Sequence, residues 1–228
     1  MSNDYHISPS FDTGYLDRYL TLNVSRSRIN DAMIRLNQFY LERFGTYISY
    51  PYTAQNISSY ADNCSLNYDS DCTHGTCTNS YYTNTETLVL NNYHHTNITN
   101  VLYRMPTPTN IIQFNVVFTG RELCYMNGNT HYSYFAYGVT APDLRTVIID
   151  DFVSAVHEST TLIHEVGHMF GAPDHYYRGA TKALNDKVGQ NIFHDDCIYG
   201  ANKERSDIRE NATLCRGCYE SIYANIKK

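Results

Sequence analysis

The sequence predicts an α+β fold: a mixed twisted sheet backed by two helices, followed by a smaller C-terminal part that ends on a helix. Three observations predict it. Two long runs, over 25–45 and 155–170, place apolar residues at helical spacing. Between them, "IIQFNVVFTG", "HYSYFAYGVTAPD" and "RTVIIDD" are rich in β-branched and aromatic residues. The resulting order is strand, helix, strand, insertion, three strands, long helix, loop, last helix, which suits a sheet with helices packed on it. At 228 residues the chain is long enough for one domain with a sizeable core.

Taken in order, "YLTLNV" over 19–24 alternates apolar and polar residues and is expected as a strand. In the helix that follows, Ile29, Ala32, Met33, Leu36, Phe39, Tyr40 and Phe44 form the apolar stripe, and Gly45 ends the run as a C-cap. "TYISYPYT" over 46–53 is a second strand. Residues 54–109 are rich in Asn, Ser, Thr and Tyr, hold three cysteines and have weak periodicity. They are expected as an insertion pinned by cysteines, with "ETLVLNN" a short strand and "RMPTPTN" a turn. Strands then run over 111–120, 131–141 (ended by Pro142) and 145–151, the last mostly apolar and so expected in the middle of the sheet. Ser154 is placed to cap the helix over about 155–170. Residues 171–203 are irregular and a last helix covers about 205–226.

Composition narrows the function. A net charge of −6, with no basic stripe, argues against a nucleic-acid partner. No apolar run approaches the roughly 18–20 residues of a membrane span. The seven cysteines fall into two groups, Cys64, Cys72, Cys77 and Cys124, then Cys197, Cys215 and Cys218. Cys64, Cys72 and Cys77 lie in the polar stretch "CSLNYDSDCTHGTC", and with Cys124 they make an even set expected to form disulfides, which implies an oxidising compartment and a secreted protein whose leader has been removed. The alternative is free thiols or a loop metal site that includes His74, and with it a cytoplasmic location.

The chemistry concentrates in "TTLIHEVGHMFGAPDHYY". His164 and His168 are four apart on a helix, so both imidazoles project from one face and can reach one ion. Glu165, one residue round, can reach a water on that ion more easily than the ion itself. Gly171 can turn the chain sharply, and Asp174 three residues later can return to the same ion. The bland alternative is a buried helix with two satisfied histidines and a capping glycine. His157, seven residues before His164, is expected to be structural or exposed.

"HEVGHMFGAPDH" resembles the metzincin zinc-endopeptidase signature, H-E-x-x-H-x-x-G-x-x-(H or D), with the aspartate form similar to the snapalysin branch. The resemblance implies a metzincin-like domain over 1–228, with an N-terminal subdomain over 15–173 that carries the 54–109 insertion and a C-terminal subdomain over 174–228. It implies catalytic zinc on His164, His168 and Asp174, and Glu165 as general base. Metzincins carry a methionine in a turn beneath the zinc, whereas this chain has no Met after Met169. "DDCIYG" resembles that turn with Tyr199 in the methionine's place, either packed beneath the metal or offering its hydroxyl to the oxyanion.

Cys197, Cys215 and Cys218 make an odd set, and three thiolates with one imidazole complete a tetrahedral structural zinc site. His175 is the candidate imidazole and His194 its substitute. The pattern resembles the C-terminal cluster of archaemetzincins; the alternative is a disulfide from Cys197 to Cys215 or Cys218 with a spare thiol. The expected function is a monomeric zinc endopeptidase acting on a protein or peptide held along the edge strand "YFAYGVTAP". Two readings compete with a broad peptidase: a non-catalytic secreted binding module on the same fold, and a peptidase restricted to one protein.

Overall fold

The computed structural model describes residues 4–56, 81–83, 86–89, 111–120, 123–127, 130–136, 138–141, 145–150, 155–175, 197–200 and 206–226. In chain order these form β1 (Asp4–Phe11), α1 (Thr13–Tyr19), α2 (Leu22–Phe44), β2 (Ile48–Ser49), β3 (Gln55–Asn56), β4 (Tyr81–Thr83), β5 (Glu86–Val89), β6 (Ile111–Thr119), β7 (Leu123–Asn127), β8 (Thr130–Ala136), β9 (Gly138–Ala141), β10 (Thr146–Asp150), α3 (Ala155–Met169), α4 (Ser206–Asn211) and α5 (Arg216–Ile226).

The main sheet is mixed, in the order β2-β1-β6-β10-β9, with β3 also paired to β1. Every pairing in it is parallel except β9 with β10, so β9 is the outer, antiparallel strand on that side. β4, β5, β7 and β8 form a second, antiparallel sheet. α2 and α3 pack against each other and against the main sheet. The core between them is Tyr5, Ile7 and Phe11 of β1, Phe114, Val116 and Phe118 of β6, Val147 and Ile149 of β10, and the inward faces of both helices. Phe170, just past α3, meets the rings of Tyr5 and Phe114 edge-on at 5.0 and 5.5 Å. Among the described residues no helix is long and apolar enough to cross a membrane.

α2 follows its pattern: all seven residues of the expected stripe are buried. The larger aliphatic and Phe side chains among them contribute about 1.5–3 kcal/mol each when fully buried. Gly45 closes the helix in the left-handed region, at φ 63°, with its N–H on the Leu41 carbonyl. β6, β10 and α3 also lie where periodicity placed them, and β10 has a strand on each side.

Three expectations are corrected, and one strand, β1, stands where none was expected. Residues 19–24 are not a strand: Tyr19 ends α1, Leu20 turns left-handed at φ 61°, and Thr21 caps α2 by accepting from Val24 N–H. Capping by a threonine hydroxyl outweighs a short alternation whose Leu20 is 86% exposed and has nothing to pack on. The 131–141 strand is two, since β8 belongs to the second sheet and β9 to the main one. The last helix is broken into α4 and α5 at Ala212, which adopts φ 44°. Arg35 donates to the carbonyls of Arg209 and Glu210, and Arg43 to that of Asn211, so arginines of α2 take the last turn's acceptors and stop the helix there. β1 has no clear local strand signal, yet it is flanked by strands on both sides. Its Pro9 speaks against a central strand, yet it falls opposite the gap between β2 and β3. Ser154 lies outside the described residues.

Candidate metal centres

α3 presents His164 and His168 on one face, their rings 4.7 Å apart. The helix then ends in a Schellman turn. Ala172 N–H bonds to the Gly167 carbonyl, Gly171 N–H bonds to the His168 carbonyl, and Gly171 stands at φ +80°. A side chain at Gly171 would be strained by that φ and would also meet Asn225 Nδ2 at 2.7 Å. The turn has two effects on the site. It swings the chain back so that Asp174 Oδ1 lies 3.3 Å from His164 Nε2 and 3.6 Å from His168 Nε2. It also brings the Ala172 carbonyl to 2.6 Å from His168 Nδ1.

Those contacts set the tautomers. His164 Nδ1 lies 2.8 Å from the Ile198 carbonyl. A carbonyl only accepts, so each Nδ1 carries the hydrogen and each Nε2 keeps a bare lone pair. The two Nε2 atoms face each other at 3.1 Å, with the aspartate oxygen completing the triangle. Three electron-rich atoms at 3.1, 3.3 and 3.6 Å suit a cation between them. Ligands at about 2.0–2.1 Å from a tetrahedral ion would be about 3.3–3.4 Å apart, so the triangle has the size a zinc ion needs.

Glu165 stands beside this triangle, Oε1 4.0 Å from His164 Nε2 and the side chain 8% exposed. Thr140 of β9 donates its hydroxyl to Glu165 Oε2 at 2.6 Å and lies 2.7 Å from the Glu165 carbonyl oxygen. Thr140 was not singled out from the sequence; only the pairing of β9 with β10 brings it to α3, and no local signal marks it. Tyr199 is fully buried, its ring stacked on His164 at 4.4 Å and edge-on to His168 at 5.2 Å. Its hydroxyl donates to the His164 carbonyl at 2.8 Å, on the helix side of the ring and close enough to Gly167 that a Cβ there would collide with it. The ring thus packs against both imidazoles while the hydroxyl points at the helix backbone. Burial pushes its phenol pKa well above the usual value.

His175, Cys197, Cys215 and Cys218 form the second cluster, with one ligand atom from each lying within 4.8 Å of all the others. Cys215 Sγ is 3.6 Å from His175 Nε2, close to the separation that thiolate and imidazole ligands have on a tetrahedral zinc. The three cysteines are thiols. Hydrogen bonds with Cys197 and Cys218 hold the Cys215 thiol below its usual pKa; the bond with Cys215, then burial, pushes Cys197 up to about 12, and bonds with Cys197 and Cys215, then burial, raise Cys218.

The other candidates are placed as follows. His157 is partly buried against Arg209, and burial, then that arginine, lowers its pKa. Cys64, Cys72, Cys77, His74 and His194 lie outside the described residues, as does the side chain of Cys124, whose backbone pairs with Val89. No family model matches the chain, and no curated protein does. Among solved structures it is similar to a zinc-dependent peptidase from Methanocorpusculum labreanum at 11% identity, with a TM-score of 0.48, over 96% of this chain and 99% of that one.

Proposed function

We propose that this chain is a zinc-dependent endopeptidase of metzincin type. The observation that carries the reading is the triangle of His164 Nε2, His168 Nε2 and Asp174 Oδ1, sized for one zinc ion and flanked by a carboxylate. Zinc held there would polarise a scissile carbonyl and acidify a water. Glu165 is the general base: it takes the proton of the attacking water and delivers it to the leaving amine. Ile198 and Ala172 orient the histidines through their carbonyls, and Tyr199 supports both rings from below. β9, with β10 on one side and no described strand on the other, offers its edge to an extended peptide. His175, Cys197, Cys215 and Cys218 hold a second, structural zinc. The substrate is a protein or peptide, and the enzyme works as a secreted monomer.

Elemental mass spectrometry on protein purified without chelator should find about two zincs per chain. Glu165→Gln should keep both and lower cleavage of a quenched peptide library by roughly 10²- to 10⁴-fold. Substantial turnover in that variant would falsify the assigned base. Cleavage of one protein and no library peptide would point to the restricted peptidase, and no cleavage by the zinc-loaded wild type to the binding module.

A further inference from the structure

Two residues of β9, Gly138 and Thr140, face Glu165 and belong to no metal motif. They are two apart on a strand, so they share a face, and that face meets α3. Thr140 brings its hydroxyl to 2.6 Å from Glu165 Oε2. Gly138 leaves the room: a Cβ there would lie 2.7 Å from Glu165 Cγ and 3.0 Å from Oε1. One carboxylate oxygen is therefore held, and the other is accommodated because residue 138 has no side chain.

A glutamate has three side-chain torsions, and on a helix it can point along several directions. Proton transfer requires the carboxylate to stay within a fraction of an ångström of its working position. A hydroxyl-to-carboxylate bond of this length is charge-assisted and directional. The hydroxyl's own position is set by the ladder, since Thr140 pairs with Val147 of the buried strand β10. The aim of the side chain thus comes from the sheet, across 25 residues of sequence, and not from the helix that carries it.

We propose that Thr140 is the positioning residue for Glu165, with Gly138 providing the space, so that β9 aims the carboxylate at the His164–His168–Asp174 centre. This rests on the reading of Glu165 as the base.

The test uses zinc-loaded wild type, Thr140→Val and Thr140→Ser, compared by crystal structure, zinc content, thermal melting and peptide cleavage. Thr140→Val should bind the same zinc and melt within about 5 °C of wild type. Its Glu165 carboxylate should leave the wild-type position, and kcat should fall roughly 10- to 100-fold with KM within about twofold. Thr140→Ser should restore both the carboxylate position and kcat. Thr140→Ala removes the hydroxyl without adding bulk and serves the same comparison if the valine variant misfolds. An unmoved Glu165 in crystals of the hydroxyl-free variant overturns the proposal, whatever the activity. So does a loss of kcat that serine fails to rescue. If the zinc-loaded wild type cleaves nothing, the peptidase reading fails by itself, and the crystal comparison still decides the role of Thr140.

Discussion

The two ligand clusters begin on neighbouring residues, Asp174 and His175, yet they are built differently. In the first, three donors converge at the surface end of α3, with side-chain exposures of 11% for His164, 18% for His168 and 34% for Asp174. In the second, four donors converge where His175 is 2% exposed and Cys197 and Cys218 are fully buried. On the proposed assignment, three donors with an open side would leave a position for water and substrate, whereas four largely buried donors would leave none. The segment Cys197–Tyr199 contributes to both. Cys197 belongs to the buried cluster, the Ile198 carbonyl holds His164, and Tyr199 supports both histidine rings. His175 N–H bonds to the Tyr199 carbonyl at 2.9 Å, closing the link between the two stretches. On the proposed assignment, the closed site is the staple that keeps the open one in shape.

Removing one buried ligand is the strongest way to break that division. Cys218→Ser should lose one zinc and destabilise the fold by about 3 kcal/mol or more, because structural zinc binding is folding free energy. Zinc affinity at the remaining site should also fall, roughly 10- to 100-fold, as the carbonyl on His164 loosens. Chelator titration against thermal melting reads both, and a variant that keeps two zincs would return the cysteines to the role of ordinary core residues. Asp174→Ala should do the reverse. The partly exposed ligand is lost, so zinc at the open site should weaken by more than the roughly 100-fold that outer partners contribute. The buried site should keep its metal, and unfolding in urea should shift by less than about 1 kcal/mol. Tyr199→Phe is the smallest and sharpest change. It removes the bond to the His164 carbonyl and leaves the ring in its stack, so stability should drop by about 1 kcal/mol. Turnover should stay within about threefold, because the hydroxyl faces the helix. A much larger loss of kcat at unchanged zinc content would assign the phenol to the reaction.

What could be read in advance follows the range of the forces. The stripe from Ile29 to Phe44, the turn at Gly45 and the histidine spacing on α3 depend on neighbours three or four residues away, and each is written locally. The edge of α1 and α2 went astray where Thr21 capping competed with alternation over six residues. β1 was illegible because its partners are far off, with Tyr5 opposite Ile112 on one side and Ile48 on the other, while Pro9 argues against a strand. The split between β8 and β9 depends on which sheet each half joins. In the site, the donors could be named from spacing, but their orienting partners could not. Main-chain carbonyls carry no residue identity, and Thr140 reaches Glu165 only through a strand pairing.

The sequence by itself determined the donor types and their order: two imidazoles one helical turn apart, a glycine able to turn the chain, an aspartate three residues on, and a thiol set waiting for an imidazole. These are short-range properties of side-chain chemistry and helix geometry. The tertiary structure decided which lone pairs face inward, where Tyr199 points, that His175 joins the cysteines, and that Thr140 holds Glu165. Each of those depends on contacts between residues from 4 to 40 apart, closed by the packing of α3 against the sheet and the C-terminal segment.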